Sequence, residues 1–549
     1  MIKNLLLALF ISLISTGFTS GKSFFVDTTT DQLRTLLERE YSGGAITVGD
    51  ISLHSSEKIH AFYDRRNLKE AWSENGVLLE LAYELRFEIR QSKFDGLNPE
   101  DYYLGRIDAY FQKFETNKKS GIQNDLIELA SLDLLLTDAF FKLASHLEQG
   151  KVDPTELNSD WEISRKPQKE DPINLLSTAI ESKEVRKNLE KLYPEFTIYR
   201  KGREVIRALD ELKKKDSLDW KGIKVVKSIK VGDSDNAIPA IRERLLFWGH
   251  LKPYDYSDPK LYDSTLFLGV KSFQARNGME PDGAIGKNTA AGLNASPSSL
   301  MDKAAVNMER LRWLPDTVRD AEFILVNIAN YQLDYLKNLD TLFSARVIVG
   351  KQYHESPIFT APMSYIVFSP YWNIPPSITR SEIMPAVRKN PNYLNQKNME
   401  VVTGDGKLVN PNSVNWSARS FPYMVRQKPG GSNSLGLVKF MFPNSHNVYI
   451  HDTPARTLFA KEDRALSHGC IRIQDPAKFA EVLLKDLPGW TPERIDKAMH
   501  QTSEQIVRLP RKIPVVLVYL TFWADSKGQP HFRQDIYNRD AEVLELLKK

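Results

Sequence analysis

The hydrophobic pattern of the chain changes at about residue 320, and this change most limits the folds available to it. Before it, apolar residues recur at helical spacing. The longest run, residues 126–147, predicts one amphipathic helix that ends at Gly150 and Pro154. After it, segments rich in Val, Ile, Phe and Tyr predict strands at 322–329, 345–350, 365–368, 437–442, 448–451 and 515–523. We therefore expect a multidomain α+β chain, helical first and mainly β afterwards.

A shorter stretch with its own character lies between these regions. Residues 222–295 contain two helical patterns, followed by turn signals at Asn277-Gly278, Asp282-Gly283 and Gly286. This spacing predicts a small module, with residues 294–299 as a linker behind it. In the C-terminal region, the one clear helix is predicted at Asp475-Pro476, a capping residue followed by a proline at the first helical position.

The N-terminus is typical of a secretory signal peptide. Lys3 is followed by residues 5–14, which are apolar except for Ser12, and small residues continue to Gly21. This run is shorter than a membrane-spanning helix requires. We expect residues 1–21 to be a signal peptide and the mature protein to be exported. The alternative is an uncleaved leader that anchors the chain, the sole membrane contact that we expect.

Charge and cysteine content exclude several classes of protein. Lys and Arg number 74 against 70 Asp and Glu, a net charge of +4, so nothing in the composition favours a nucleic-acid partner. The chain has one cysteine, Cys470, which rules out an intramolecular disulfide and an all-cysteine metal site. A single thiol is either a small buried residue or a reagent.

The residues around Cys470 favour a reactive, nucleophilic thiol over a buried structural one. Gly469 permits a sharp turn, so that backbone N–H groups near Cys470 could face a developing oxyanion. Earlier in the chain, His451 ends a predicted strand, and strand alternation places Tyr449 and His451 on the same face. A histidine beside a thiol stabilises the thiolate and handles its proton. We expect His451 to face the loop that carries Cys470.

Both segments resemble a known catalytic domain. His451-Asp452-Thr453-Pro454 and Ser467-His468-Gly469-Cys470-Ile471-Arg472 resemble the L,D-transpeptidase catalytic domain of the YkuD type, which has a β-sandwich core. Residues 136–140, 370–378 and 433–440 resemble the large periplasmic YcbB-like subfamily. Phe273-Gln274 and the glycine turns after it resemble the peptidoglycan-binding type 1 domain, a three-helix module.

These resemblances imply a domain order and a location. They imply a helical scaffold domain at 24–216, a peptidoglycan-binding type 1-like module at 222–295 and a catalytic domain at 321–505, completed by a C-terminal strand and tail at 506–549. Residues 374–436 exceed an ordinary connection between strands, and the subfamily has a lid or capping insertion there. The implied location is the periplasm of a Gram-negative-type bacterium.

The resemblance also assigns roles to residues. Cys470 matches the acylated nucleophile, His451 the general base and Gly469 a residue whose backbone helps to build the oxyanion hole. His468, Arg472 and Tyr449 are candidates for orienting the substrate, and Arg472 could bind a carboxylate. A hydrogen-bonded turn histidine and a structural salt bridge are the alternatives for His468 and Arg472. Some relatives have glycine where this chain has Asp452, so a third catalytic member, if there is one, could be a backbone carbonyl.

The implied reaction is acyl transfer in the cell wall. Cys470 would attack the carbonyl at the L-centre of diaminopimelate in a tetrapeptide stem, release D-Ala, and pass the acyl group to an amine. Stem peptides and glycan of peptidoglycan are the expected partners, and neither a metal nor a cofactor is required. Such an enzyme would serve wall biogenesis and cell shape and would be a carbapenem target. With water as acceptor, it would be an L,D-carboxypeptidase.

Two alternatives belong to other classes. A zinc peptidase could use His451, Asp452 and His468, although neighbouring residues on a strand point to opposite faces and converge poorly on one metal. A non-catalytic wall-binding protein would use residues 222–293 as its functional part.

Overall fold

The computed structural model describes residues 28–38, 45–157, 166–314, 322–338 and 340–549. The predicted signal peptide at 1–21 lies outside these residues. Within the described ranges, every helix is too short or too polar to cross a membrane. The chain divides into two compact units, Met1–Ala82 with Arg106–Asp138, and Tyr83–Gly105 with Ala139–Lys549.

The N-terminal region is mainly helical and is shared between the two units, since α3 and α5 each have residues in both. Residues 29–149 contain α1 (Thr29–Glu38), β1 (Thr47–Val48), β2 (Ile51–Ser52), α2 (Ser56–Arg65), β3 (Ser73–Glu74), β4 (Val77–Leu78), α3 (Glu80–Gln91), α4 (Leu104–Ser120) and α5 (Leu126–Gln149). The long amphipathic helix is confirmed as α5, which ends directly before Gly150. Its buried Asp133 accepts hydrogen bonds from the Tyr63 hydroxyl at 2.5 Å and from the Trp72 N–H at 2.8 Å, so polar contacts fix this core.

The helical region continues in the second unit. It contains α6 (Pro172–Ser182), α7 (Val185–Glu190) and α8 (Thr197–Lys215). The apolar side of α8, which includes Val205, Ile206 and Leu209, packs into the main core of this unit. A helical region before the β domain is therefore confirmed.

Three short helices follow and share a core of their own. They are α9 (Ile238–Phe247), α10 (Ser264–Arg276) and α11 (Lys287–Leu293), and their buried side chains form a separate apolar cluster. Within it, the buried amide of Gln274 donates to Asp282 and to the Ala284 carbonyl, both at 3.0 Å. The same amide accepts from the Gly283 N–H at 2.8 Å, so Gln274 holds the Asp282-Gly283 turn.

The predicted linker at 294–299 is wrong from Pro297 onwards, because α12 spans Pro297–Trp313. Ser296 caps this helix by accepting from the Ser299 N–H at 3.2 Å. The hydrophobic pattern did not predict this helix, because several of its buried positions carry charged residues. Glu309 and Arg312 form a fully buried ion pair, and Glu309 also accepts from the Val152 N–H at 2.8 Å. Burying two charges is tolerated when they are paired and hydrogen-bonded.

The C-terminal region is mainly β, as predicted. Its strands are β5 (Phe323–Asn327), β6 (Gln332–Lys337), β7 (Asp340–Gly350), β8 (Thr360–Phe368), β9 (Trp372–Asn373), β10 (Met399–Val402), β11 (Leu408–Val409), β12 (Met424–Gln427), β13 (Val438–Met441), β14 (Ile450–His451), β15 (Ala465–Ser467), β16 (Ile471–Ile473), β17 (Gln505–Val518), β18 (Phe522–Ala524) and β19 (Pro530–Phe532).

Nine of these strands form one sheet that curls back on itself. Its order is β15-β7-β16-β14-β13-β8-β17-β5-β6, and β6 also pairs with β7. The predicted strand at 515–523 is longer than expected, because β17 begins at Gln505 and pairs with both β8 and β5. This pairing places β17 in the interior of the nine-stranded sheet.

The long insertion folds as a small separate layer. It contains α13 (Pro376–Ile378), a π-helical turn (Thr379–Ile383), α14 (Met384–Lys389), α15 (Tyr393–Gln396) and a four-stranded sheet ordered β11-β10-β12-β9. Buried apolar residues such as Val387, Leu394, Val401 and Val425 form its own core.

The expectation of a single clear helix in the C-terminal region is wrong. Besides α16 (Pro476–Leu484), the structure has α17 (Pro492–Met499) and α18 (Asp540–Lys548). Pro476 occupies the start of α16 as predicted, but Asp475 makes no side-chain cap and has a φ of 54°. A capping residue normally has an extended backbone, whereas Asp475 is left-handed, and the predicted cap does not form.

Candidate active site

Two of the predicted site residues lie opposite each other on neighbouring strands. β14 and β16 pair in parallel, with Ile450 opposite Ile471 and His451 opposite Arg472. Both isoleucines are fully buried in the core of the sheet. Because side chains alternate along a strand, His451 and Arg472 lie together on the other face.

Cys470 directly precedes β16 and lies beside Tyr449. The Ile471 N–H donates to the Tyr449 carbonyl at 3.1 Å, and Cys470 Sγ lies 3.9 Å from the Asn447 carbonyl oxygen. Because His451 lies opposite Arg472, two residues beyond Cys470, Cys470 and His451 are on the same face. Neither imidazole nitrogen of His451 is hydrogen-bonded to the sulfur in the part of the chain that the structure describes.

Hydrogen bonds hold the turn before the cysteine. Ser467 Oγ donates to the Cys470 carbonyl at 2.6 Å and accepts from the Gly469 N–H at 3.1 Å. Ser356 Oγ donates to the Gly469 carbonyl at 2.8 Å. Gly469 has a φ of 108°, a backbone conformation that strains any residue with a Cβ. This geometry explains why glycine precedes the cysteine.

The backbone donors of the turn differ in how they are engaged. The N–H of Gly469 donates to Ser467, whereas the N–H of Cys470 has no acceptor among the described residues. The resemblance assigned part of the oxyanion hole to the backbone of Gly469, and this role stays a prediction. An N–H without an acceptor, such as that of Cys470, is suited to donate to an oxyanion.

His451 is buried and oriented by the backbone. It is 4% exposed, and its Nδ1 lies 2.5 Å from the Asp452 carbonyl oxygen. Since a carbonyl only accepts, Nδ1 carries the proton and Nε2 is the basic nitrogen of the neutral ring. Burial lowers the pKa of His451 to about 3, Arg472 acts in the same direction, and the Asp452 carbonyl opposes them.

The thiol is also neutral at rest. Burial raises the pKa of Cys470 above its ordinary value, while the neighbouring Tyr449 and the charge of Arg472 oppose this rise. A raised thiol pKa beside a lowered imidazole pKa means that the pair rests as thiol and neutral imidazole. Attack by the sulfur therefore requires a base at the moment of reaction.

Arg472 has no protein partner for its charge. Its Nε is buried without a hydrogen bond, and it forms no ion pair within the described part of the chain. The alternative role of a salt bridge that ties the motif strand is thus not observed among those residues. Burial lowers the pKa of Arg472, and the adjacent Cys470 opposes this effect. A guanidinium without an ion pair is suited to bind an anion from solution.

His468 lies at the outer edge of the site. Its side chain is 44% exposed, and Nε2 lies 3.7 Å from Glu382 Oε1 in the insertion. Its ring centre is 5.3 Å from that of His354. Burial lowers the pKa of His468, and Lys351 adds to this effect. His468 thus contacts the insertion and is not directed into the interior of the sheet.

Asp452 stabilises the turn that precedes β13. It is 2% exposed, and its Oδ2 accepts from the Leu437 N–H at 2.9 Å. Gly436 has a φ of 64°, and a Cβ there would lie 2.3 Å from the same carboxylate. No cluster of three metal-binding side chains occurs in the described ranges. The zinc-peptidase alternative therefore lacks a ligand set in those ranges.

Several neighbours of the site carried no signal in the sequence. Ser356, Asn447 and Glu382 contact the Cys470 loop from three different segments, through the bonds described above. None of them lies in a recognisable motif. They reach the site only because the strands pair over long distances in the sequence.

The opposed pKa shifts predict a flat pH profile for acylation of Cys470. From pH 5.5 to 8.5 the neutral thiol–imidazole pair dominates, so we expect the rate to vary by less than about threefold. The measurement is the rate of adduct formation with an electrophilic β-lactam at each pH. Folding sets the acid limit: the unfolded chain binds the His451 proton near pH 6.5 and the folded chain near 3, so stability falls as pH drops between these values. An acylation rate that rises tenfold per pH unit between pH 5.5 and 8.5 would contradict the prediction.

Two parts of the chain match known families. Residues 57–205 match the model of a scaffold domain, and residues 321–495 match the L,D-transpeptidase catalytic domain, YkuD. A Haemophilus influenzae (strain Rd) protein that carries the provisional name L,D-transpeptidase is 35% identical over 248 residues. That match covers 45% of this chain and 50% of the relative, so the chain spans about half the length of the curated relative.

Solved structures give weaker similarities. An L,D-transpeptidase from Xylanimonas cellulosilytica is 12% identical, with 54% of this chain and 100% of that chain covered and a TM-score of 0.16. An L,D-transpeptidase from Stackebrandtia nassauensis is 11% identical, with 54% and 96% covered and a TM-score of 0.20. Neither TM-score bears on the fold. Residues 321–495 are therefore similar to the YkuD family of L,D-transpeptidase catalytic domains.

Proposed function

We propose that this chain is an L,D-transpeptidase that remodels peptidoglycan through a thioester on Cys470. The observation that carries the proposal is the position of the thiol. Cys470 follows a glycine turn, shares a strand face with His451 and the unpaired Arg472, and lies in the region that matches the YkuD family.

The first half-reaction forms the thioester. Nε2 of His451 takes the thiol proton, directly or through one water, while Sγ bonds to the carbonyl carbon of the diaminopimelate–D-Ala bond. The N–H of Cys470 donates to the oxyanion that develops. When the tetrahedral intermediate collapses, the carbon–nitrogen bond breaks, and the departing D-Ala amine takes the proton back from His451.

The second half-reaction transfers the acyl group. An amine of a neighbouring stem attacks the thioester, His451 removes a proton from the attacking nitrogen, and the sulfur leaves as the thiol. Transfer to diaminopimelate gives a cross-link, whereas transfer to water gives carboxypeptidase activity. In both half-reactions the Asp452 carbonyl keeps Nδ1 protonated and directs Nε2 to the reacting atoms.

Arg472 and Tyr449 position the substrate in this scheme. The free guanidinium of Arg472 is suited to a carboxylate of the stem peptide, since arginine and carboxylate pair through two hydrogen bonds. Tyr449 adjoins the sulfur and stabilises its charged form. His468 connects the Cys470 loop to the insertion through Glu382.

The other domains would serve the same reaction. We assign residues 374–436 to a lid over the site, supported by the contact between Glu382 and His468. Residues 222–295 would hold glycan as a peptidoglycan-binding type 1-like module, supported by their separate core. The leader at 1–21 would direct the chain to the periplasm, where the stem peptides lie.

Analysis of muropeptides tests the reaction. Sacculi that carry tetrapeptide stems are incubated with wild-type or Cys470→Ala protein, digested, and examined by mass spectrometry. We expect new links between diaminopimelate residues with the wild type alone. Tripeptides without new links would identify water as the acceptor. Unchanged muropeptides with folded wild-type protein, or equal products with both proteins, would overturn the proposal.

A further inference from the structure

A large cavity lies within the second unit, apart from the Cys470 site. Its volume is about 1180 Å³, and it is lined by α8, by the helices α10 to α12, and by loops that include 351–353, 462–465 and 528–536. None of Cys470, His451 or Arg472 lines it. A cavity of this size accommodates a ligand larger than a single sugar or amino acid.

Five cationic side chains line this cavity, and none has a carboxylate within ion-pair distance in the described part of the chain. Four bind neutral oxygens only. Arg533 Nε donates to Asn330 at 2.7 Å, Lys303 Nζ to the Arg533 carbonyl at 2.8 Å, and Arg464 to the Lys461 carbonyl at 2.7 Å. Arg276 donates to the Gln529 side-chain oxygen at 3.3 Å. Burial lowers the pKa of Arg533 and of Arg464 to about 10, so both remain charged at neutral pH. The fifth cation is Lys351.

The acidic side chains of the lining are already engaged. Glu204 pairs with Lys201 at 2.9 Å, which is outside the lining. Asp463 accepts from the Tyr331 hydroxyl at 2.9 Å, and Asp535 accepts from the Tyr519 hydroxyl at 2.6 Å. Glu462 bonds to Asn288. Asp463 and Asp535 stabilise the charges of Arg464 and Lys303 from a distance, but no acid of the wall forms an ion pair with the five cations in the described part of the chain. An anionic ligand would supply these ion pairs.

The remaining lining adds apolar surface to these charges. Trp248, Tyr331 and Phe532 contribute aromatic rings. Aromatic rings pack against the apolar faces of sugars and of peptide side chains, while cations bind carboxylates. This combination fits a polymer fragment that carries both kinds of group.

The cavity adjoins the loops that shape the catalytic turn. Lys351 and Tyr353 line it, and the next residue, His354, contacts the ring of His468. Ala465 also lines it, and this residue begins the strand that leads to Ser467 and Cys470. A ligand in the cavity would lie close to the Cys470 loop without occupying the nucleophile's own face.

We propose that this cavity is a second binding site, which holds a carboxylate-bearing muropeptide apart from the stem that acylates Cys470. The inference rests on the proposed function, because that function makes wall fragments the available anions. The carboxylates would bind Arg276, Lys351 and Arg533, and the rings would pack on the glycan or peptide.

Binding to full-length Cys470→Ala protein tests the site, since this variant cannot turn over the ligand. Calorimetry is run with a disaccharide–tetrapeptide, and with the same compound after its carboxylates are amidated. We expect the Arg276→Gln/Lys351→Gln double variant, and separately Arg533→Gln, to weaken binding of the acidic compound at least about tenfold. Lys224→Gln removes an exposed charge outside the lining and serves as the matched control.

Further ligands identify the source of the carboxylate. Tetrapeptide alone and peptide-free disaccharide are compared, and carboxylate-dependent binding of either supports the site and names its ligand. The proposed second site would be overturned if the acidic and amidated compounds bound with equal affinity. It would also be overturned if the double variant and Lys224→Gln bound the acidic compound equally well. Failure of the proposed function is seen separately, as the absence of a covalent β-lactam adduct on wild-type Cys470.

Discussion

Replacing Cys470 by alanine is expected to abolish the covalent adduct that a carbapenem forms with the wild-type protein. The β-lactam ring contains a strained acyl carbon that mimics the scissile bond. Sγ bonds to this carbon, the ring carbon–nitrogen bond breaks, and the ring nitrogen takes the proton that His451 removed from the thiol. Because no part of the drug leaves in this step, intact-mass spectrometry should show the wild type heavier by one whole carbapenem.

The alanine variant should gain no mass, since the chain has no other cysteine. Removing a nucleophile typically lowers the rate by about 10⁴-fold or more, which is beyond detection in this assay. Ser467→Ala is a useful companion, because it keeps the thiol but removes the bonds that hold the turn. We expect it to form the adduct more slowly. An adduct on the alanine variant, or no adduct on folded wild-type protein, would contradict the role of Cys470.

The strands of the C-terminal region could be predicted from the sequence because these segments are rich in Val, Ile, Phe and Tyr, which are typical strand residues. The helix α12 could not, since Asn307, Glu309, Arg310 and Arg312 are all buried where a pattern requires apolar residues. These residues are satisfied by one another and by distant segments. For example, Arg312 donates to the Asp95 carbonyl at 2.7 Å. A local pattern carries no information about such partners, so the segment resembled a polar linker.

In the candidate site, too, some residues could be predicted from the sequence and others could not. Cys470 and His451 could be proposed because each lies in a short motif with an unusual residue type, and strand alternation gave the face of His451. The residues that support them could not be proposed, since Ser356 comes from the loop between β7 and β8 and Glu382 comes from the insertion. The bond between the Gly469 N–H and Ser467, on which the proposed oxyanion role of the Cys470 N–H depends, is also a local detail that the sequence pattern does not contain.

Replacing His451 by glutamine is expected to slow acylation of Cys470 by about 10²- to 10⁴-fold at neutral pH. The physical reason is the raised pKa of the thiol, which leaves little thiolate without an internal base. In the variant, hydroxide must supply the thiolate, so the rate should rise about tenfold per pH unit between 6 and 8.5. The wild type should remain flat over the same range, and the contrast in slope separates loss of a base from loss of structure.

Two comparisons make this result specific to the base. His468→Gln removes an imidazole close to Cys470 in the sequence, at the exposed edge of the site, and should keep the flat profile while changing the rate by less than about tenfold. Circular dichroism at each pH checks that both variants stay folded. If His451→Gln kept a flat profile, or if His468→Gln acquired the steep one, the base would have to be reassigned. The buried position of His451 and its bond to the Asp452 carbonyl argue for a steep profile in His451→Gln and a flat one in His468→Gln, because the bond holds Nδ1 protonated and makes Nε2 the basic nitrogen.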